Sequence, residues 1–197
     1  DNMQVGESAD MVMAEFWSGV LAFFDSPKFV ASIAKLNGSS IAEAEAFTSL
    51  GGWNHSPATL KTIGDRAWTQ GINRFVYHTY VHQPWDAKPG VTLGPFGIAF
   101  DRYNTWWEQG KAYLDYVARS QFLLQQGQTV ADVLVFVGES SPNDTFLVPG
   151  INELGFNYDL IGHNKLSALT VENGKICTPA GDVYSILMLP ATTWMRP

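Results

Sequence analysis

The sequence predicts an α/β protein built on a parallel sheet, and three observations predict it. Apolar strand-like and amphipathic helix-like segments follow one another as strand, helix, strand, helix, strand up to Tyr80. Both helix-like segments open on Ser-Pro (Ser26-Pro27 and Ser56-Pro57) and close on a glycine (Gly38 and Gly71), the punctuation of an N-cap with proline at N1 and a C′ glycine. Glu15, Glu45 and His78 recur at intervals of 30 and 33 residues, each near the C-terminal end of its strand. Regular βα units of this size build parallel sheets with right-handed crossovers, and in a (β/α)₈ barrel the C-terminal strand ends form the active site. Such a barrel is the expected architecture, with an open doubly wound sheet as the alternative.

The first strand is expected within Met11–Trp17, whose Met11, Met13 and Glu15 share a face. In the first helix Phe29, Val30, Ile33 and Ala34 form the apolar stripe. The second strand, Ile41–Thr48, alternates, so Glu43 and Glu45 share one face and Ala42, Ala44 and Ala46 the other. Alanines suit a face on which helices pack closely. Two carboxylates on the opposite face are a poor choice for stability alone, because buried charge is costly unless paired. After the loop Gly51–His55, a second helix buries Leu60, Ile63 and Ala67, and Asn73–Tyr80 supplies a third, β-branched and aromatic strand. His82–Phe100 reads as a long loop of the kind that usually serves function, and Thr105–Gln126 as a long helix stopped by Gly127.

Beyond Gly127 the character changes. Ala131–Val137 reads as a buried strand, followed by a turn over residues 138–144. Tyr158–Ile161 and Tyr184–Leu189 read as further buried strands. Leu166–Val171 and Lys175–Cys177 flank Glu172-Asn173-Gly174 as a hairpin. The expected division is therefore residues 1–127, of the barrel type, and 128–197, a second, partial α/β domain. The chain opens in a strand-like segment without a visible signal peptide and stops at Arg196-Pro197, so a piece of a longer protein is expected.

Composition narrows the function classes. The 197 residues are 46% hydrophobic, enough to bury a core. A net charge of −7 argues against nucleic acid or an anionic membrane as the main partner, and no apolar run is long enough to span a bilayer. The single Cys177 has no internal disulfide partner and reads as structural. No Gly-x-Gly-x-x-Gly or Walker motif is present, and Gly138-Glu139-Ser140-Ser141 lacks the Gly-x-Ser-x-Gly elbow. Aromatic residues at 13%, with seven Trp, suit either a sugar site or a Trp-rich core.

Glu15 and Glu45 are the sharpest feature. On adjacent strands, about 4.8 Å apart, their carboxyl groups fall in the range that glycosidic bond cleavage requires, one protonated and one ionised. They could instead pair with Arg74 or Arg102, or serve a divalent cation. His78 and His82 fall on one face of the third strand and its extension. They lack a third nitrogen or sulfur ligand for zinc, so sugar hydroxyls or structural bonds are expected for them. Asp101-Arg102-Tyr103-Asn104-Thr105-Trp106-Trp107 places polar groups that read hydroxyls beside indoles that suit the C–H faces of a sugar. The same run also suits a helix N-terminus capped by Asn104 or Thr105.

Several runs carry a family resemblance in this order: Ala14-Glu15-Phe16-Trp17, Ala44-Glu45-Ala46-Phe47-Thr48-Ser49, Gly71 to His78, Gly94-Pro95-Phe96-Gly97, Phe100 to Trp107, Leu123 to Gly127, and Ala131-Asp132-Val133-Leu134. From about Met11 to Pro190 the chain resembles the α-L-rhamnosidases of glycoside hydrolase family 106. The resemblance implies that residues 1–127 are the C-terminal portion of a (β/α)₈ TIM-barrel catalytic domain and that 128–197 begin an accessory α/β domain of the β-galactosidase type, flavodoxin- or glutamine-amidotransferase-like. It implies inverting removal of terminal α-L-rhamnose from plant or microbial glycans, with calcium helping to hold the sugar, in a periplasmic or secreted bacterial enzyme.

Carried over, Glu15 and Glu45 match acidic motif positions, one as the base and the other binding sugar or calcium, while the general acid comes from an earlier strand outside this chain. The isolated chain is then expected to be inactive. His78, His82, Trp53, Asp101, Arg102, Asn104, Trp106 and Trp107 are the expected sugar-binding residues. A retaining, β-galactosidase-like hydrolase with Glu45 as nucleophile and a non-catalytic carbohydrate-binding relic are the alternatives.

Overall fold

The computed structural model describes residues 2–19, 26–139 and 150–191. Strands β1 (Met13–Trp17), β2 (Glu43–Thr48) and β3 (Arg74–Tyr77) form a parallel sheet in chain order, joined by helices α2 (Ser26–Leu36) and α3 (Pro57–Thr69). A short helix, α1 (Asn2–Glu7), precedes β1, where a strand-like opening was expected. Its six residues carry no apolar stripe; the fully buried Met3 holds it against the rest of the fold.

The alternation sorts the sheet's two faces. Ala14, Phe16, Ala44, Ala46 and Phe75 lie in a core shared with Val30, Ala31 and Ala34 of α2 and with Leu60 and Ala67 of α3. Met13, Glu15 and Val76 face outward and are exposed. Helix α3 starts as expected, with proline at N1 and the Ser56 amide donating to the Thr59 hydroxyl at 3.0 Å. At the start of α2 the Ser26 hydroxyl is instead bound by β1, accepting from the Glu15 amide at 3.0 Å and donating to the Glu15 carbonyl at 2.6 Å.

One irregularity re-aims β2. Between Phe16 and Trp17 the register slips so that Trp17 pairs with Thr48, leaving Phe47 as an extra residue at φ 68°. This bulge turns Phe47 into the core, edge-on to Phe16 at 5.2 Å and Phe75 at 5.4 Å. It also brings Thr48 beside Glu45, where strict alternation would have put Phe47.

The long loop after β3 closes on itself. Strand β3 ends at Tyr77, and residues 97–100 run back along its end through bonds from Thr79 N to Ile98 O at 2.9 Å and Ile98 N to His78 O at 2.7 Å. Helix α4 (Lys111–Leu124) begins later than the Thr105 expected, after turns and a 3₁₀ segment at Glu108–Gly110. The turns win because the Asp101 carboxylate accepts the Tyr103 amide at 2.8 Å, and Asn104 donates back to the Ala99 carbonyl at 2.8 Å.

The second sheet is parallel, β5 (Tyr158–Ile161), β4 (Val133–Phe136), β9 (Ile186–Met188), beside an antiparallel meander of β6 (Thr170–Glu172), β7 (Lys175–Cys177) and β8 (Val183–Tyr184). The turn between β6 and β7 has Asn173 and Gly174 both at positive φ, as a two-residue type I′ hairpin requires. Residues 166–171, expected as strand, divide between α5 (His163–Leu166) and β6, and the expected final strand divides between the two sheets. The 138–144 turn lies outside the described residues from 140 onward.

Helix α2 lies between the two parallel sheets and is buried from Pro27 to Leu36. Phe29 and Ile33 face Val133, Val135 and Leu160 of the second sheet. Two lysines share that buried side. Lys35 Nζ lies 2.6 Å from Asp159 Oδ2 and 2.7 Å from the Thr129 carbonyl, and Lys28 Nζ donates to Asn157 Oδ1 at 3.0 Å. Tyr184 adds its hydroxyl to Asp159 at 2.9 Å. Burial pulls the Lys28 ammonium below its ordinary pKa, and Asp159 opposes that shift.

Candidate active site

The C-terminal ends of β1–β3 hold the candidate site. Glu15 and Glu45 are register partners on adjacent parallel strands, so both side chains leave the open face of the sheet at the same height. Neither arginine proposed as a partner reaches them. Arg74 pairs with Glu43, and the Arg102 guanidinium donates to the carbonyls of Gln83 at 2.9 Å and Trp85 at 2.8 Å. Among the described residues no side chain bonds the Glu15 carboxylate.

Glu45 is held from one side only. His78 Nδ1 lies 2.9 Å from Glu45 Oε1, and Thr48 Oγ1 lies 3.2 Å from the same oxygen and 3.0 Å from Nδ1. A carboxylate facing Nδ1 makes that nitrogen a donor. The second carboxylate oxygen of Glu45 is left for a ligand or water. Thr48 was not among the expected site residues; the alternation in the sequence places it on the core face, and only the bulge at Phe47 reverses that.

The remaining expected residues are placed as follows. His82 is exposed beyond the end of β3. Asp101 is buried, accepting from Gln83 Nε2 at 2.8 Å; with Arg102 and Asn104 it holds the loop to itself. Trp106 donates its indole N–H to the His55 carbonyl at 2.8 Å and packs with Trp107 against the core. Trp53 is half-buried, and its ring leaves no room for a side chain at Gly90. His55 binds Ser49 at 2.8 Å, and its burial lowers its pKa.

Calcium takes six to eight oxygen ligands. The described residues bring two carboxylates together here, one already engaged, and form no group of three or more acidic, histidine or cysteine ligands. They do not by themselves make a calcium site. No helix among them is long and apolar enough to cross a membrane.

Paired carboxylates in register at the ends of parallel strands, one of them oriented by a histidine, are the equipment of a glycoside hydrolase. Comparison with known proteins agrees: the family model of glycoside hydrolase family 106, alpha-L-rhamnosidase, matches residues 1–197, and the chain belongs to that family. A solved structure of a rhamnosidase from Novosphingobium sp. PP1Y superposes over 96% of this chain with a TM-score of 0.84 and 33% identity, the match covering 19% of that protein. A Formosa agariphila protein named "Putative beta-glucuronidase" is 66% identical over all 197 residues, which are 17% of its length. The chain thus spans under a fifth of either relative.

Proposed function

We propose that this chain supplies the base side of the active site of an inverting α-L-rhamnosidase, in which Glu45 activates the attacking water. The single observation behind this reading is the clamp on one oxygen of Glu45 by His78 and Thr48, one strand away from Glu15. Such a clamp fixes the carboxylate and leaves its other oxygen to accept a proton from water. Glu15 lies within reach of the same sugar and serves it as a hydrogen-bond acceptor. The acid that protonates the leaving oxygen comes from another part of the intact enzyme, in which the sheet β1–β3 is the last part of a (β/α)₈ barrel and residues 128–197 begin the accessory domain. Calcium, in that enzyme, requires further oxygen ligands from elsewhere, and Glu15 is the donor this chain offers. A glycan substrate places the enzyme in the periplasm or outside the cell.

The name of the Formosa relative favours a second reading, a glucuronide substrate. A uronic acid carboxylate calls for a cation, whereas the open face here carries Glu15, Glu43 and Glu45, and Arg74 is paired with Glu43. Charge therefore favours the neutral sugar.

The test is hydrolysis of aryl α-L-rhamnoside and aryl β-glucuronide by the intact enzyme, with the product anomer followed by NMR. Inversion of rhamnoside and a loss of about 10²–10⁴-fold in kcat for Glu45→Gln are expected. Retention would make Glu45 a nucleophile instead. Full activity in both Glu15→Gln and Glu45→Gln, or rhamnoside binding without turnover in the wild type, would remove the pair from catalysis.

A further inference from the structure

We propose that Trp17 and Phe96 form the corner that receives the C6 methyl group of the sugar, and so set a preference for a 6-deoxy ring over its 6-hydroxy counterpart. This inference rests on the rhamnosidase reading above.

Trp17 follows Glu15 by two residues, so it leaves the same face of β1, about 6–7 Å further along the strand. Its register partner is Thr48, the residue that touches both Glu45 and His78. The corner therefore stands directly above the carboxylates, at a height comparable with the span of one pyranose ring and its substituent. Phe96 meets Trp17 edge-on, with ring centroids 6.0 Å apart.

Phe96 is held in place by its own turn and by His78. The Phe96 amide donates to the Leu93 carbonyl at 3.3 Å, and Thr92 Oγ1 donates to the Gly94 carbonyl at 2.9 Å. The next residue, Gly97, has φ 85°, and a Cβ there would lie 3.1 Å from both the ring and the carbonyl oxygen of His78. Only glycine lets this loop lie flat on the histidine that orients Glu45. The turn is thus packed against the histidine that contacts Glu45, yet Phe96 remains 44% exposed. An exposed aromatic edge against Trp17, above the face that carries Glu15 and Glu45, offers apolar contact beside the polar groups of the site, and Val76 of β3 adds to it. Rhamnose is 6-deoxymannose, and its methyl group is the one apolar substituent on the ring.

A purely structural Phe96 would affect all substrates alike, so the ratio between two of them is the readout. In the intact enzyme, kcat/KM is measured on aryl α-L-rhamnoside and aryl α-L-mannoside, which differ only by the 6-hydroxyl. The wild type is expected to prefer the rhamnoside. Phe96→Ser should narrow that ratio by about tenfold or more, the scale of one small apolar group in a pocket, and Phe96→Leu should keep most of it. Should Phe96→Ser not fold, Phe96→Tyr, which keeps the ring and adds a hydroxyl, should narrow the ratio in the same direction. An unchanged ratio in the folded variants, or a wild type indifferent to the 6-hydroxyl, overturns the corner while leaving the rhamnosidase reading intact. A wild type that turns over neither sugar but cleaves the glucuronide overturns both.

Discussion

His78 Nδ1 sits 2.9 Å from Glu45 Oε1, although the two residues lie 33 positions apart, one on β2 and the other just past the end of β3. That contact converts an acid on an open sheet face into an acid with one fixed orientation. His78→Ala in the intact enzyme should therefore lower kcat on an aryl α-L-rhamnoside by about 10²-fold, with a smaller effect on KM. A change in KM alone would mean that His78 binds sugar without positioning Glu45.

Phe47 combines a left-handed backbone with a fully buried ring. Removing the ring in Phe47→Ala should cost about 3–5 kcal/mol, the usual range for a buried aromatic. Phe47→Gly loses the same ring but relieves roughly 1–2 kcal/mol of left-handed strain. Glycine should therefore be the more stable of the two, reversing its usual rank below alanine. Urea unfolding monitored by tryptophan fluorescence checks the order.

The ion pair of Lys35 with Asp159 is buried on both sides, at 8% and 1% side-chain exposure. Removing one partner strands the other charge, so Asp159→Ala should destabilise the fold by about 3–5 kcal/mol. Replacing Lys35 and Asp159 together with Met and Leu should restore much of that loss. A double variant as weak as the single one would refute charge stranding as the cause.

His55 carries a pKa pushed below the ordinary 6.5 by burial. Its folded form resists protonation while its unfolded form does not, so the unfolded state binds more protons as pH falls through that ordinary value. Stability should accordingly be present at pH 7 and decline toward pH 5. Melting temperatures of wild type and His55→Asn across this range check the sign: the variant should show the flatter profile.

Much of this fold was legible because a period of two residues and a Ser-Pro start leave few alternatives. Ile41–Thr48 could bury its alanines on one face only by turning Glu43 and Glu45 to the other, and that is the sheet observed, with Glu43 buried against Arg74 and Glu45 half-buried. The hairpin at Asn173-Gly174 was equally legible, since few residue pairs accept two positive φ angles. The bulge was not. Phenylalanine is a poor choice for a left-handed backbone, and only packing against Phe16 and Phe75, distant in sequence, compensates for it. Asp101, Arg102 and Asn104 misled for a different reason: the groups that read sugar hydroxyls also satisfy carbonyls and amides in a long loop. Helix α1 left no pattern because contacts far along the chain hold it, such as Gln4 with His163.

Helix α2 is buried all round from Pro27 to Leu36, and this bears on how the protein can be dissected. A cut at residue 128 would open Phe29 and Ile33 to solvent and leave Lys28 and Lys35 without their counterions. The trailing sheet is therefore not a passenger that evolution or an expression vector could detach at will. Whatever shapes the carboxylate-bearing strands has had to inherit their neighbour as well.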